Sequence, residues 1–323
     1  MRPRSQFPAS ILAAALSAAA LMTSAIGAPA TVSEALVTNQ TGDSLTVVSL
    51  ADMKPVAEVA IGGKPAGIAV SPDGAIAYIT APESKELVVF DARGHRVVRR
   101  FKVGEAPLGV AAHPTNGRVY VADWYTHKIS VVDPQAAKVT AEIAVGQSPS
   151  GLAVTADGRL LLSADRDSDA VSIIDTQTNT RLGSVPVGKR PFGITIDADG
   201  RRAYTANVAS DDVTIIDIAA RKVVATVPVG HRPYAVALAR GRAFVTNQYA
   251  SSVSVIDLDE QKVIKTIDVG DHPEGIETAP DGAQIYVACW FDNVLMRIDT
   301  EALSVTGEAA VGDGPRAFGL FLR

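Results

Sequence analysis

Both tryptophans of this 323-residue chain fall at the same place in a recurring pattern. Trp124-Tyr125 and Trp290-Phe291 occupy two equivalent positions, where the other copies carry Gln40-Thr41, Pro82-Glu83, Arg166-Asp167, Val208-Ala209 and Gln248-Tyr249. Phe192 and Tyr234 stand at a second recurring position, directly after a proline, where the other copies have Ala66, Leu108, Ser150, Glu274 and Arg316. Rings in loops supply contact area at a small entropic cost. Together these aromatics read as anchors for a bound partner, and the competing reading is packing against a neighbouring unit.

Histidines and arginines join the same loops. His231, His272 and Cys289 are residue types that ligate zinc or copper. No His-x-His or Cys-x-x-Cys pair fixes a ligand geometry, so unrelated loop residues with an inert thiol are the simpler account. His127 falls on the same face, whereas His95 and His113 sit in turns at the other end of the pattern and are expected in solvent. Arg190, Arg232 and Arg316 could clamp a carboxylate or phosphate with bidentate guanidinium groups. Nearby Glu105, Asp271, Glu274, Asp313 and the run Asp165-Arg166-Asp167 make scattered surface ion pairs the alternative.

Catalytic signatures are missing. There is no Gly-x-Ser-x-Gly, no phosphate loop, no His-Glu-x-x-His and no paired-glycine dinucleotide motif, and no cofactor is implied. An active site assembled from several units would leave no local motif. The formal net charge of −5 argues against strong nucleic-acid binding, whose affinity comes mostly from phosphate neutralisation.

The elements that must position these residues come from one unit used seven times. A Gly-x-x-Pro turn recurs at Gly62, Gly104, Gly146, Gly188, Gly230, Gly270 and Gly312, with spacings of 42, 42, 42, 42, 40 and 42 residues. Such a period, filled with short β-branched runs, predicts a β-propeller of four-stranded blades. In the unit from Gly188 to Gly230 the expected strands are Pro191 to Ile196, Ala203 to Asn207, Val213 to Asp217 and Lys222 to Val229. The Asp197-Ala198-Asp199-Gly200 turn lies between the first two. The fourth, with Lys, Thr and Pro, suits an exposed edge.

The repeat begins with second-strand sequence, Ala35 to Asn39, and ends with first-strand sequence, Ala317 to Leu322. The C-terminal strand is therefore expected to complete the first blade and close the ring. The fold class is all-β, a seven-bladed propeller of antiparallel blades. In the sixth unit Ala239-Arg240-Gly241-Arg242 replaces the longer Asp-Gly turns, so its two missing residues should fall in that hairpin alone. Residues 31–323 leave room for one domain and no more.

Residues 1–30 read as a signal peptide: Arg2 and Arg4, an apolar run from Ile11 to Met22, and small residues that place cleavage near Ala28 or Ala30. The run is short for a bilayer anchor. No cysteine marks a lipidation site and no paired arginines mark the start, which points to a soluble monomer in the periplasm or outside the cell. Cys289 is the only cysteine, so no disulfide forms within the chain.

Ala243-Phe244-Val245-Thr246-Asn247, Ala35-Leu36-Val37-Thr38-Asn39, Ser71-Pro72-Asp73-Gly74, Ser252-Val253-Ser254-Val255-Ile256-Asp257 and Thr226-Val227-Pro228-Val229-Gly230 resemble the YVTN repeat family of secreted or periplasmic propellers, often called YncE-like. The resemblance covers all seven units and implies the fold. It implies no settled activity, because related propellers include lactonases, a streptogramin lyase and subunits of amine dehydrogenases. None of their catalytic signatures maps onto residues here. The expected function is a binding or scaffold module that takes a protein partner or small ligand at the loop face around the channel. The alternative is a lactonase- or lyase-type enzyme with an acid or metal site at the channel mouth.

Overall fold

The computed structural model describes Met1 and residues 32–323. The expected leader, with Ala28 and Ala30, lies outside the described residues. Six blades each contain four consecutive antiparallel strands, from Gly67–Val70, Ile76–Ala81, Glu86–Asp91 and Arg96–Lys102 in blade two to Pro273–Thr278, Gln284–Cys289, Val294–Asp299 and Ser304–Ala310 in blade seven. Blade one has Glu34–Asn39, Ser44–Ser49 and Lys54–Ala60, and takes its innermost strand from the C-terminus. No helix among the described residues is long and apolar enough to cross a membrane.

Burial follows the radial order of the strands. Middle strands such as Asp212–Asp217 are buried on both faces because each lies between two neighbouring blades, which is why Val-Thr-Ile-Ile carries no charge and its one polar group, the Thr214 hydroxyl, accepts from Asn207. The outermost strands are largely exposed, with one deep anchor near the end, such as Val227 in blade five. In every blade a bulge shifts the register between third and fourth strands, as at Ile215/Ile216. The bulge adds the local twist each blade needs.

The recurring glycines have two physical causes. In six of the seven Gly-x-x-Pro turns the side chain ending the second strand leaves no room: a Cβ on Gly188 would lie 2.5 Å from Asn207 Nδ2, and one on Gly104 2.2 Å from Asp123 Oδ2, whereas at Gly62 it is the left-handed φ of 73° that favours glycine. Two residues past five of the seven turn prolines a second glycine meets the neighbouring blade, and a Cβ at Gly109 would lie 1.8 Å from the Ser150 carbonyl oxygen; the closing strand has Ala317 there. Blade six holds Ala235 at this position, so the ring can yield locally and the cost of a methyl is finite. Gly109→Ala should destabilise the protein by about 1–3 kcal/mol through overpacking. Thermal unfolding checks this, and an unchanged melting temperature would refute the close-approach reading.

Blade six keeps all four strands, and its deletion is confined to the hairpin. Ala239 pairs with Arg242 across Arg240 and Gly241, whose φ angles of 51° and 70° suit a two-residue turn with both central residues left-handed.

Ring closure occurs as expected but with a detour. The C-terminal segment bridges blade one at both ends, Pro315 to Asn39 and Leu322 to Ala35. Between them, Phe318–Leu320 swings away to pair in parallel with Gly67–Val70 of blade two. The comparable stretch in blade seven pairs Pro273 with Cys289 and Thr278 with Ile285, so the closing strand holds two extra residues. Ala317 (φ 44°) and Gly319 (φ 129°) make the excursion possible. It lies against the inner strands of blades two, three, four and seven and so fills the channel.

At the other face His113 is buried, not solvated. Its Nε2 is 3.0 Å from the Gly158 carbonyl oxygen and its Nδ1 accepts the Thr115 and Asn116 amides at 3.2 Å. Burial lowers its basicity. His95 is half-buried beside the Glu34 carboxylate, 3.2 Å away.

Candidate functional site at the loop face

Loops between blades and loops from second to third strand lock together on one face. Tyr249 N–H donates to the His231 carbonyl, Phe291 N–H to Asp271, and Gln248 and Trp290 N–H to Arg232 and His272. In the inter-blade turns the residue before the proline is left-handed, at Lys64, Ser148, Arg190, Arg232 and His272. A side chain from the preceding second-to-third loop caps it: Asp43, Asp169 and Asp211 each accept the turn amide of Lys64, Arg190 and Arg232 at 2.8 Å. His127 performs this task in blade three, its Nδ1 accepting the Ser148 amide at 3.0 Å. The turn thus accounts for His127, although its ring is exposed.

At the centre the residues after the turn prolines point inward and seal the channel. Phe192, Tyr234 and Phe318 form a buried ring cluster, with centroids 4.4 Å apart for Phe192–Tyr234 and 4.9 Å for Phe192–Phe318. Trp124 is half-buried against it, 6.0 Å from Phe192, with the Arg166 guanidinium 5.2 Å over its own ring. Arg316 donates to the Tyr234 hydroxyl from Nε and a terminal nitrogen at 2.9 and 2.7 Å, and to Gln40 Oε1 at 2.8 Å. Its Nε also lies 3.3 Å from Glu274, whose other oxygen accepts from Gln248 at 2.7 Å. Arg232 closes the chain, donating to Gln248 Oε1 at 2.8 Å.

This is a buried ion pair inside a polar network. Burial pushes the Glu274 carboxyl up, against the pull of Arg316, and raises the Tyr234 hydroxyl well above its ordinary range. Burial works against the charge of Arg316, yet Tyr234 and Glu274 outweigh it and hold the guanidinium charged. Phe192, Tyr234 and Arg316 are therefore occupied in closing the channel. Arg190, Arg232 and Arg316 share no partner: the first is exposed, the second stacks 4.7 Å over Tyr249, and the third is in the seal.

Outside the seal runs a row of rings: His231 to Tyr249 at 5.4 Å, Tyr249 to His272 at 5.2 Å, His272 to Phe291 at 4.4 Å. Trp290 is half-buried inside this row, with Arg316 6.0 Å over its ring. Cys289 is fully buried in its strand, and burial pushes its thiol up to about 12. His272 Nδ1 faces Asp271 at 2.8 Å. His231, His272 and Cys289 do not converge, and the described residues hold no group of three or more His, Cys, Asp or Glu able to take a metal ion.

Tyr249, Glu274, Gln248, Gln40 and Phe318 complete the site beyond the residues singled out in the sequence. Tyr249 had a signal, since it shares the second loop position with Tyr125 and Phe291. Phe318 had none, because its place depends on the detour.

Residues 13–118 and 152–240 match the family model of the YncE-like β-propeller. The chain belongs to that family. Solved structures similar to this YncE-like chain include a functionally unknown protein from Desulfotomaculum acetoxidans, with TM-score 0.74, 15% identity, and coverage of 88% of this chain and 99% of that one. Kuenenia stuttgartiensis hydrazine synthase gives TM-score 0.69 and 21% identity over 78% of this chain and 88% of that one. The dihydro-heme d1 dehydrogenase NirN, solved in complex with DHE, gives 0.66 and 14% over 92% and 76%. At these identities the likeness is one of fold. No curated protein matches the chain.

Proposed function

We propose that this YncE-like propeller is an exported binding module whose working face is the loop face, with the outer ring row as its anchor surface. One observation carries the reading. The exposed aromatic side chains among the described residues, Tyr125 (71%), Tyr249 (53%) and Phe291 (60%), all lie in second-to-third-strand loops of that face. Apart from Leu320 in the closing strand, the exposed aliphatics of the blades, such as Val98 and Ile264, are instead distributed around the outer edge strands, which needs no explanation beyond an incompletely polar surface. Aromatics gathered on one face are the composition of an interface centre.

The central seal supports a binder over a channel-mouth enzyme. Its acid, Glu274, is tied to Arg316 and Gln248 and covered by packed rings, so no carboxylate and imidazole stand free together there.

A photoreactive phenylalanine analogue placed at Tyr249, at Phe291 and at Val98 in cells tests this. Discrete crosslinked adducts are expected from the first two positions only. Adducts from Val98 alone, or from none, would move the working surface elsewhere. In the same cells the mature chain should begin just after Ala28 or Ala30, read by mass spectrometry. An intact N-terminus would overturn export.

A further inference from the structure

Between blades five and six lies an open cleft of about 420 Å³, within the range of about 300–1,000 Å³ usual for small-molecule sites. Val229 and Gly230 line it where the chain leaves blade five, and Ser252, Ser254, Thr266 and Asp268 line it from the third and fourth strands of blade six. The repeat explains why it is open here. Ser254 pairs with Thr266 as Thr46 pairs with Glu58 and Ser130 with Glu142. In blade one Glu58 reaches across to accept from Ser44 at 2.8 Å, and in blades two and three Arg100 and Glu142 pair with Glu86 and Lys128. In blade four Ser172 donates to Asp165, and blade five has Asp212 where blade six has Ser252. Blade six holds hydroxyls alone at these three places. Ser252 and Ser254 are buried and accept from Asn247 Nδ2 at 3.2 and 2.9 Å, and Ser254 also accepts the Gly230 amide at 3.3 Å. Neither hydroxyl donates to an acceptor among the described residues, so two hydrogen-bond donors are left over on the cleft wall. Thr266 and Asp268 beside them are exposed.

We propose that this cleft binds a small neutral polyhydroxyl compound, a hexose or a cyclitol, whose oxygens accept from Ser252 and Ser254 while a neighbouring hydroxyl donates to Asp268. The donor set selects that class. An anion would meet the Asp268 carboxylate with no Lys or Arg among the lining residues to offset it. An ammonium ion has donors only, and would leave both serine hydrogens unanswered in a partly buried place, where an unmade hydrogen bond is costly. A hydroxyl both donates and accepts, so adjacent hydroxyls on one ring serve the serines and the carboxylate together. Val229 and Val263 offer apolar wall to the C–H face of such a ring. The site is separate from the row of exposed rings and does not depend on that row taking a partner.

Amide chemical shifts of the isotope-labelled mature chain, titrated with glucose, myo-inositol and glucuronate, test the proposal. Glucose or myo-inositol should move the amides of Gly230, Ser252 and Thr266 in a saturable way. Glucuronate should bind about fivefold or more weakly, the effect of two like charges a few ångströms apart in water, and Asp268→Asn should remove that difference. Thr266→Val keeps the side-chain shape and deletes one hydroxyl, so it should weaken binding about fivefold, as the net loss of one hydrogen bond does. Thr266→Glu rebuilds the arrangement of blade one, with a carboxylate over Ser252, and should abolish the shifts while the chain melts with the wild type, since the position is exposed. Should that variant fail to fold, Thr266→Val and Asp268→Asn still decide the matter. No saturable shift with either neutral compound, shifts that survive a folded Thr266→Glu, or an unchanged preference in Asp268→Asn would overturn the assignment. Crosslinking at Tyr249 and Phe291 reads a different surface, so the two readings fail separately.

Discussion

Removing residues 314–323 abolishes cooperative folding. The segment supplies the innermost strand of blade one, with Arg316 N–H donating to Thr38, Leu36 N–H to Phe321 and Arg323 N–H to Glu34 at 2.8, 2.8 and 2.9 Å. Ala317, Phe318, Phe321 and Leu322 are all buried, and Arg323 pairs with the Glu34 carboxylate at 2.5 Å. Burial of each large apolar side chain is worth about 1.5–3 kcal/mol, so three of them approach the whole net stability of about 5–15 kcal/mol for a typical domain. Truncation also opens the central seal, since Phe318 backs Phe192 and Tyr234 and Arg316 pairs with Glu274. The expected result is a broad, non-cooperative melt with dye-accessible apolar surface. A truncated chain that melts sharply at the full-length temperature would show that the ring closes without this strand.

The blade count, the strand order, the closing strand and the confined gap in blade six were all legible in the sequence, because each rests on a spacing that recurs. The glycines illustrate why: Gly109 and Gly188 are demanded by contacts that most blades repeat, so the demand appears as a period. What the repeat could not show is what happens once. The two extra residues of the closing strand are invisible to spacing, since they come after the seventh Gly-x-x-Pro turn, and Phe318 reaches the seal only through that detour. Departure from the repeat does not separate two destinations. Phe192, Tyr234 and Arg316 depart because the seven side chains after the turn prolines must fill one channel, which identical residues could not do, and Trp124 and Trp290 are half-buried beside them. Tyr125, Phe291, Arg190 and His231 depart and remain in solvent. His113 departs from its expected place in solvent, absorbed by an inter-blade contact, while His127 caps a turn and stays exposed on the loop face.

Glu277 lies on the channel wall in the inner strand of blade seven, where one carboxyl oxygen accepts the backbone amides of both Phe321, closely, and Leu322 at 2.8 Å. It grips the closing strand from the neighbouring blade. Those two amides favour the ionised form, but burial outweighs them and pushes the carboxyl up to about 8, with no cation beside it to offset the cost. The folded value lies above the unfolded one, near 4.3 for a free glutamate, so the folded state binds more protons across that interval. Stability from this group is complete below the unfolded value and is lost as pH rises toward about 8. Half-burial on the channel reduces the effect to a few kcal/mol, on the order of 2–4 across the window. Glu277→Gln keeps a carbonyl oxygen for the two amides and removes the ionisation. The variant should melt with the wild type near pH 4.5 and progressively higher than it up to pH 8.5, by roughly 5–10 °C for a chain of this size. Comparing variant with wild type at each pH cancels the other carboxylates, of which some, such as Asp43, run with the opposite sign and others, such as Glu274 and Asp165, with the same one. Melting curves that stay parallel across the range would mean that Glu277 is ionised in the folded protein and that closure of the ring is indifferent to its proton.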